Sequence, residues 1–169
     1  MSLGIMEQLT HSTVRIVTTT AEGGRASGTG FYMHLLVKSD KHVPVIITNK
    51  HVVAGAVQGQ FSVTLANESG EPIIGSHETF SVSDFENICV KHPDENIDLV
   101  AFPIAPLIHK VEKSDKKLFY VPLLMNLIPS EIERSKYSAM EDIVMIGYPN
   151  GIWDSVNNYP VIRCRVPSD

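Results

Sequence analysis

The residues best placed to do chemistry are a histidine at the end of an apolar run and an aspartate at the head of another. His51 follows Ile46-Ile47-Thr48-Asn49-Lys50 and is followed at once by Val52-Val53. A general base needs this placement: a rigid strand to fix it and a strand end to leave it open to substrate. Asp98 stands in Asn96-Ile97-Asp98-Leu99-Val100-Ala101-Phe102. A carboxylate there can accept the imidazole N–H, set its tautomer and stabilise the imidazolium. The bland alternatives are a surface or capping histidine and an aspartate that makes a local turn contact. Asp94 and Glu95 are rivals to Asp98 but fall in the turn with His92-Pro93, not on the strand.

A nucleophile to match this pair is missing. No Gly-x-Ser-Gly occurs in the chain. Ser155, in Trp153-Asp154-Ser155-Val156, lacks the flanking glycines whose backbone N–H groups would form an oxyanion hole. Ser168 is one residue from the end. Other chemistries find less support. The histidines at 11, 34, 42, 77 and 109 show no metal-ligand spacing and no HExxH occurs, so no metal and no cofactor are expected. Gly28-Thr29-Gly30 is not a phosphate loop, because no helix pattern or Lys-Ser/Thr follows it. Cys89 and Cys164 read as two free thiols, buried or half-buried.

The elements that must position His51 and Asp98 read as short strands between turns. Thr13–Thr19 alternates and is β-branched, and Ala21–Arg25 supplies a hairpin turn. Further strands are expected at 27–33, 43–49, 61–65, 80–82, 88–90 and 98–104, with polar turns at 39–42 and 67–72. Helical periodicity is not seen in this stretch. From 105 to 142 the character changes: Pro106, Pro122 and Pro129 punctuate a connector, and Pro129–Arg134 opens a short helix expected to run to about Met140. Ile143–Pro149 is then a strand running into a turn, and Tyr159–Arg165 one more.

The fold class expected is therefore all-β. With 169 residues and 43% apolar content, the chain can bury a sizeable core. The net charge of −5 and scattered basic residues argue against nucleic acid as a partner; Lys113, Lys116 and Lys117 read as a solvated loop. No stretch has the apolar length of a membrane span. The start of the chain lacks the basic and apolar regions of a signal peptide, which weighs slightly toward the cytoplasm.

Three segments in order resemble the trypsin-like, chymotrypsin-fold serine proteases, most closely the bacterial HtrA-type branch. Thr48-Asn49-Lys50-His51-Val52-Val53 is similar to that family's catalytic-histidine motif, and Gly28-Thr29-Gly30-Phe31 to the glycine strand before it. Asp98-Leu99-Val100-Ala101 resembles its aspartate strand, preceded by a His92-Pro93-Asp94 loop. Gly147-Tyr148-Pro149 is similar to the Gly-x-Pro turn after the first strand of the second barrel. Val52 stands where secreted animal trypsins carry cysteine, which fits the bacterial or viral branches.

The resemblance implies a double β-barrel. Residues 10–105 would form a complete six-stranded N-terminal barrel, 106–141 a connector, and 142–169 the first hairpin of a C-terminal barrel only begun. It implies a serine endopeptidase acting on peptide or protein substrates, with His51 as base, Asp98 as its orienting acid, and the serine beyond Asp169. This chain alone would then be inactive. A viral-type cysteine protease would share this half. A protease-like binding module that has lost catalysis is the reading from another class. Val144, Ile146, Val161 and Ile162 would lack barrel partners, so this surface is expected to be covered by another copy of the chain, through self-association, or else by further residues since lost or disordered.

Overall fold

Alternating β-branched residues at Thr13–Thr20 make β1, whose Val14, Ile16 and Thr18 point to the interior. It pairs antiparallel with β2 (Arg25–Lys38) across the 20–25 turn and with β4 (Ala56–Ala66) on its other side. Outward from β2 follow β3 (Lys41–Thr48), β7 (Val100–Pro103) and β6 (Val90–Lys91); outward from β4 lies β5 (Pro72–Ser83). Short strands β8 (Lys117–Phe119) and β9 (Leu123–Leu124) add to β4 and β2. A separate hairpin joins β10 (Ile143–Gly147) to β11 (Val161–Arg165). This is a computed structural model that describes residues 3–38, 41–138 and 141–165. The expected turn residues Ser39 and Asp40, the helix end near Met140, and Ser168 lie outside them.

The molecule is mostly antiparallel β-sheet, as expected. The large sheet is rolled. Phe61 on β4 and Phe102 on β7 are four ladder steps apart, roughly 19 Å if the sheet were flat, yet their rings meet at 5.6 Å. Phe85 closes the same core at 5.2 Å from Phe102 and is only 1% exposed. Its burial is worth about 1.5–3 kcal/mol. The roll is not a closed barrel, however. The path ends at β5 on one side and β6 on the other, with no ladder between them among the described residues.

That gap has a local cause. The segment expected as a strand at 88–90 is instead the one-turn helix α3 (Phe85–Ile88) followed by the two-residue β6. Asp84 enters α3 with φ of 56°, and Asn87 Nδ2–H donates to its carboxylate. This turn places Phe85 in the core and leaves only Val90–Lys91 as strand at this edge.

Helices also appear where none was expected. At the start, α1 (Ile5–Thr10) is capped by Glu7, whose carboxylate accepts from the Gly4 N–H at 2.8 Å. In the connector, α4 (Ala105–Glu112) has Pro106 in its first turn, where proline's missing N–H costs nothing. Ile104, Leu107, Ile108 and Val111 follow helical spacing and pack on the core. The helix opening after Pro129 is one turn only, α5 (Glu131–Arg134), capped by Ser130 and Glu133. Of the two free thiols, Cys89 is buried and Cys164 is exposed, not half-buried. Among the described residues, no helix is long and apolar enough to cross a membrane.

A candidate catalytic dyad

β3 ends at Thr48, whose hydroxyl donates to the Thr29 carbonyl of β2 at 3.0 Å. The chain then turns into α2 (Lys50–Val53), so His51 sits on a single helical turn at the strand end. Val52 and Val53 are buried beneath it, and the Thr18 hydroxyl donates to the Val52 carbonyl at 3.1 Å. The anchoring explains the glycines of β2. A Cβ on Gly28 would lie 2.5 Å from Val52 Cγ2, and one on Gly30 2.6 Å from Ile46 Cγ2. Only glycine lets the histidine's turn seat on the sheet so closely.

Asp98 lies two residues before β7, in the turn that also holds Asp94 and Glu95. Its location is therefore a loop and not the strand expected for it. Several contacts tie this loop to α2. Asn49 Nδ2–H donates to the Asp98 carbonyl at 2.8 Å, and Lys50 Nζ donates to the Asp94 carbonyl at 2.8 Å. The His51 backbone N–H donates to Asp98 Oδ1 at 3.1 Å. Asn49 and Lys50 are supports that sequence reasoning did not single out. Their signal was their place in the Thr48–Val53 motif around His51, which gave neither of them a partner.

The two residues expected to work together are brought together across 47 positions: His51 Nδ1 and Asp98 Oδ2 are 2.5 Å apart. Asp94 and Glu95 do not reach the ring; they offer backbone carbonyls to Lys50. An ionised carboxylate only accepts, so Nδ1 carries the hydrogen of this bond, and in the neutral imidazole that leaves the lone pair on Nε2. The hydrogen bond from the His51 ring holds the Asp98 carboxyl below its ordinary value; the His51 backbone N–H and the imidazole's charge act in the same direction. His51 keeps 72% of its side chain exposed, and Nε2 has no partner among the described residues. The pair is a positioned base with an open face.

Among the described residues no hydroxyl or thiol hydrogen-bonds to the His51 ring, whose partner is Asp98. Ser155 lies elsewhere, lining a cavity with Arg15 and His77. Cys89 is held by burial with its thiol pushed up to about 11, the state of an inert structural cysteine. No group of three or more potential metal ligands occurs among the described residues.

The β10–β11 hairpin touches the same framework through Thr29. Its Oγ1 accepts from the Tyr148 N–H at 2.9 Å, and Gly147 lies against it so closely that a Cβ would sit 2.7 Å away. One residue thus links the His51 strand through its carbonyl and the Gly147-Tyr148-Pro149 turn through its side chain. Tyr148 is 3% exposed, and burial pushes its phenol up to about 12.

Among known proteins no family model matches this chain, and neither a curated protein nor a solved structure matches it.

Proposed function

We propose that the chain carries the base and orienting acid of a peptide hydrolase with a Ser-His-Asp mechanism, on a chymotrypsin-like N-terminal barrel. The observation that supports it is the His51–Asp98 bond at 2.5 Å, with His51 mostly open and Nε2 unengaged. In this reading His51 Nε2 takes the proton of an attacking hydroxyl as its oxygen adds to the scissile carbonyl carbon. The collapsing intermediate then receives that proton at the departing amine nitrogen, while Asp98 stabilises the imidazolium between the two events. The hydroxyl comes from outside the described residues, and the 169-residue chain alone is inactive.

The order β1–β2–β3–β7 on one side and β1–β4–β5 on the other is that of a sheet curling toward itself, which suits a barrel whose seam runs between β5 and β6. A second reading is a protease-like module that binds peptide or protein without cleaving it. It is favoured by the absence of a nucleophile beside His51 among the described residues.

Expression of the full natural reading frame, followed by labelling with a fluorophosphonate probe, separates the readings. Labelling that His51→Ala abolishes supports the serine hydrolase. Labelling by a thiol-directed epoxide instead would assign the nucleophile to a cysteine. Peptide binding with no labelling by either probe would leave the binding module. The isolated 169-residue chain is expected to stay unlabelled.

A further inference from the structure

The loop that carries Asp98 has no apolar anchor of its own. Residues 93–99 are all exposed, and the first buried residue after them is Val100, at 2%. Bonds within the loop set its shape. The Asn96 N–H donates to Asp94 Oδ1 at 2.9 Å, the Ile97 N–H to the Asp94 carbonyl at 3.2 Å, and the His92 N–H closes the base on the Leu99 carbonyl at 2.9 Å. None of these fixes where the loop stands relative to His51. A segment with so few buried contacts lies at the low-stability end of a fold and opens readily.

The turn it faces is anchored, since Val52 and Val53 of α2 are buried. Three groups of this turn reach across to the loop. Asn49 Nδ2–H and the His51 N–H donate to Asp98 itself, while Lys50 Nζ reaches the far side. Lys50 Nζ lies 2.8 Å from the Asp94 carbonyl oxygen and 3.5 Å from that of Glu95. The Asp94 carbonyl also accepts from the Ile97 N–H, so the ammonium grips the loop where its own turn closes. Bonds from an ammonium to a carbonyl are charge-assisted, roughly twice as strong as neutral ones. The Lys50 charge also helps hold the Asp94 carboxyl below its ordinary value, after the stronger effect of the Asn96 N–H.

We infer that Lys50 is a positioning residue for the dyad: by holding the Asp94 and Glu95 carbonyls it keeps the Asp98 carboxylate against the His51 ring. It acts through Asp98 and takes no part in proton transfer. Without it the loop would hang from the turn by the contacts of Asp98 alone. The rival role is plain fold stability, and the two differ in what they move. Lost stability changes the fraction of chains folded, whereas lost positioning changes Asp98 and His51 within the folded protein. The effect on the dyad rests on geometry; only its expression as turnover rests on the hydrolase reading.

The test is NMR of the isotope-labelled 169-residue chain carrying Lys50→Met, which keeps the apolar stem and removes the ammonium. Lys116→Met, which breaks the Lys116–Glu78 ion pair elsewhere, is the control. In Lys50→Met the His51 Nδ1–H should exchange with solvent about tenfold faster, the size expected for losing a bond from a charged donor. The Asp98 carboxyl, held low first by the His51 ring, should titrate closer to its ordinary value as that contact loosens. Lys116→Met should change neither. In the full reading frame Lys50→Met should lower kcat by a similar factor with KM little changed. An unmoved Nδ1–H and Asp98 titration in folded Lys50→Met overturns the inference. So does an equal change in Lys116→Met, or an unchanged kcat in an active enzyme. A parent that proves inactive overturns the hydrolase reading and leaves the NMR outcomes to decide Lys50. Should Lys50→Met fail to fold, the unaltered chain decides. Its Lys50 ammonium hydrogens should exchange more slowly than those of the exposed Lys113, and equal rates overturn the inference.

Discussion

Replacing Gly28 by alanine tests whether the histidine's turn is held by close packing on β2. The new methyl carbon would stand 2.5 Å from Val52 Cγ2, 2.8 Å from Cγ1 and 3.3 Å from Cβ. Val52 is 6% exposed and cannot swing into solvent, so either β2 or α2 must yield. Overpacking of this kind costs about 1–3 kcal/mol. For a chain of this length that is a fall in melting temperature of roughly 2–12 °C. The strain falls on the residue next to His51, so the Nδ1–H signal of the His51–Asp98 hydrogen bond should shift or broaden. The relieving change is Val52→Ala. The double variant should recover part of the loss, with a coupling energy of about 0.5–3 kcal/mol between the sites. Calorimetry gives the stability terms and imidazole NMR reads the dyad. A Gly28→Ala protein as stable as the parent, or strictly additive effects of the two substitutions, would refute the packing argument.

Asp98 contributes stability with a definite pH dependence. Its carboxyl lies lower in the folded protein than in the unfolded chain, so its contribution is present above the unfolded value and lost as pH falls through the folded one. In urea titrations the stability difference between the parent and Asp98→Asn should shrink as pH drops below the ordinary carboxylate range; a constant difference would contradict this. Thr29→Val removes the acceptor for the Tyr148 N–H and should cost about 1–2 kcal/mol, with faster hydrogen exchange at Tyr148 and an intact His51–Asp98 bond. At pH 8 a thiol reagent should modify Cys164 quickly and Cys89 only on unfolding, read as one fast equivalent that Cys164→Ser removes. Among the described residues no further strand pairs with the β10–β11 hairpin, and Ile143, Val144 and Met145 are 50–61% exposed. Light scattering should show concentration-dependent association with a second copy, and a monomer throughout the range would count against it.

Local pattern was enough to read the central strands, though not β8 and β9 or the start of β5 at Pro72. Alternation at Thr13–Thr20 and apolar runs ending in Thr48 and beginning near Val100 are properties of neighbouring residues, and the ladders follow them. The weak points were also local signals, but ambiguous ones. Pro106 reads equally as a breaker or as the first residue of a helix, and only the packing of Leu107, Ile108 and Val111 on the core selects the second. Phe85 falls between the strands expected at 80–82 and 88–90, and only the core that receives its ring selects the α3 turn.

The sequence by itself determined that a histidine would stand at a strand end and that two glycines would lie upstream of it. It also placed an aspartate close before a later strand. Both residues being polar and near strand ends follows from chain-local chemistry. Only the tertiary structure decided that Asp98, 47 positions on, would meet the His51 ring while Asp94 and Glu95 would not. It alone decided why Gly28 must be glycine, since Val52 is distant in sequence. The gathering of Arg15, His77 and Ser155 around one cavity depends on a rolled sheet and a loop laid across it. Such meetings are set by the curvature of the sheet and the docking of a hairpin, and residue spacing along the chain carries neither.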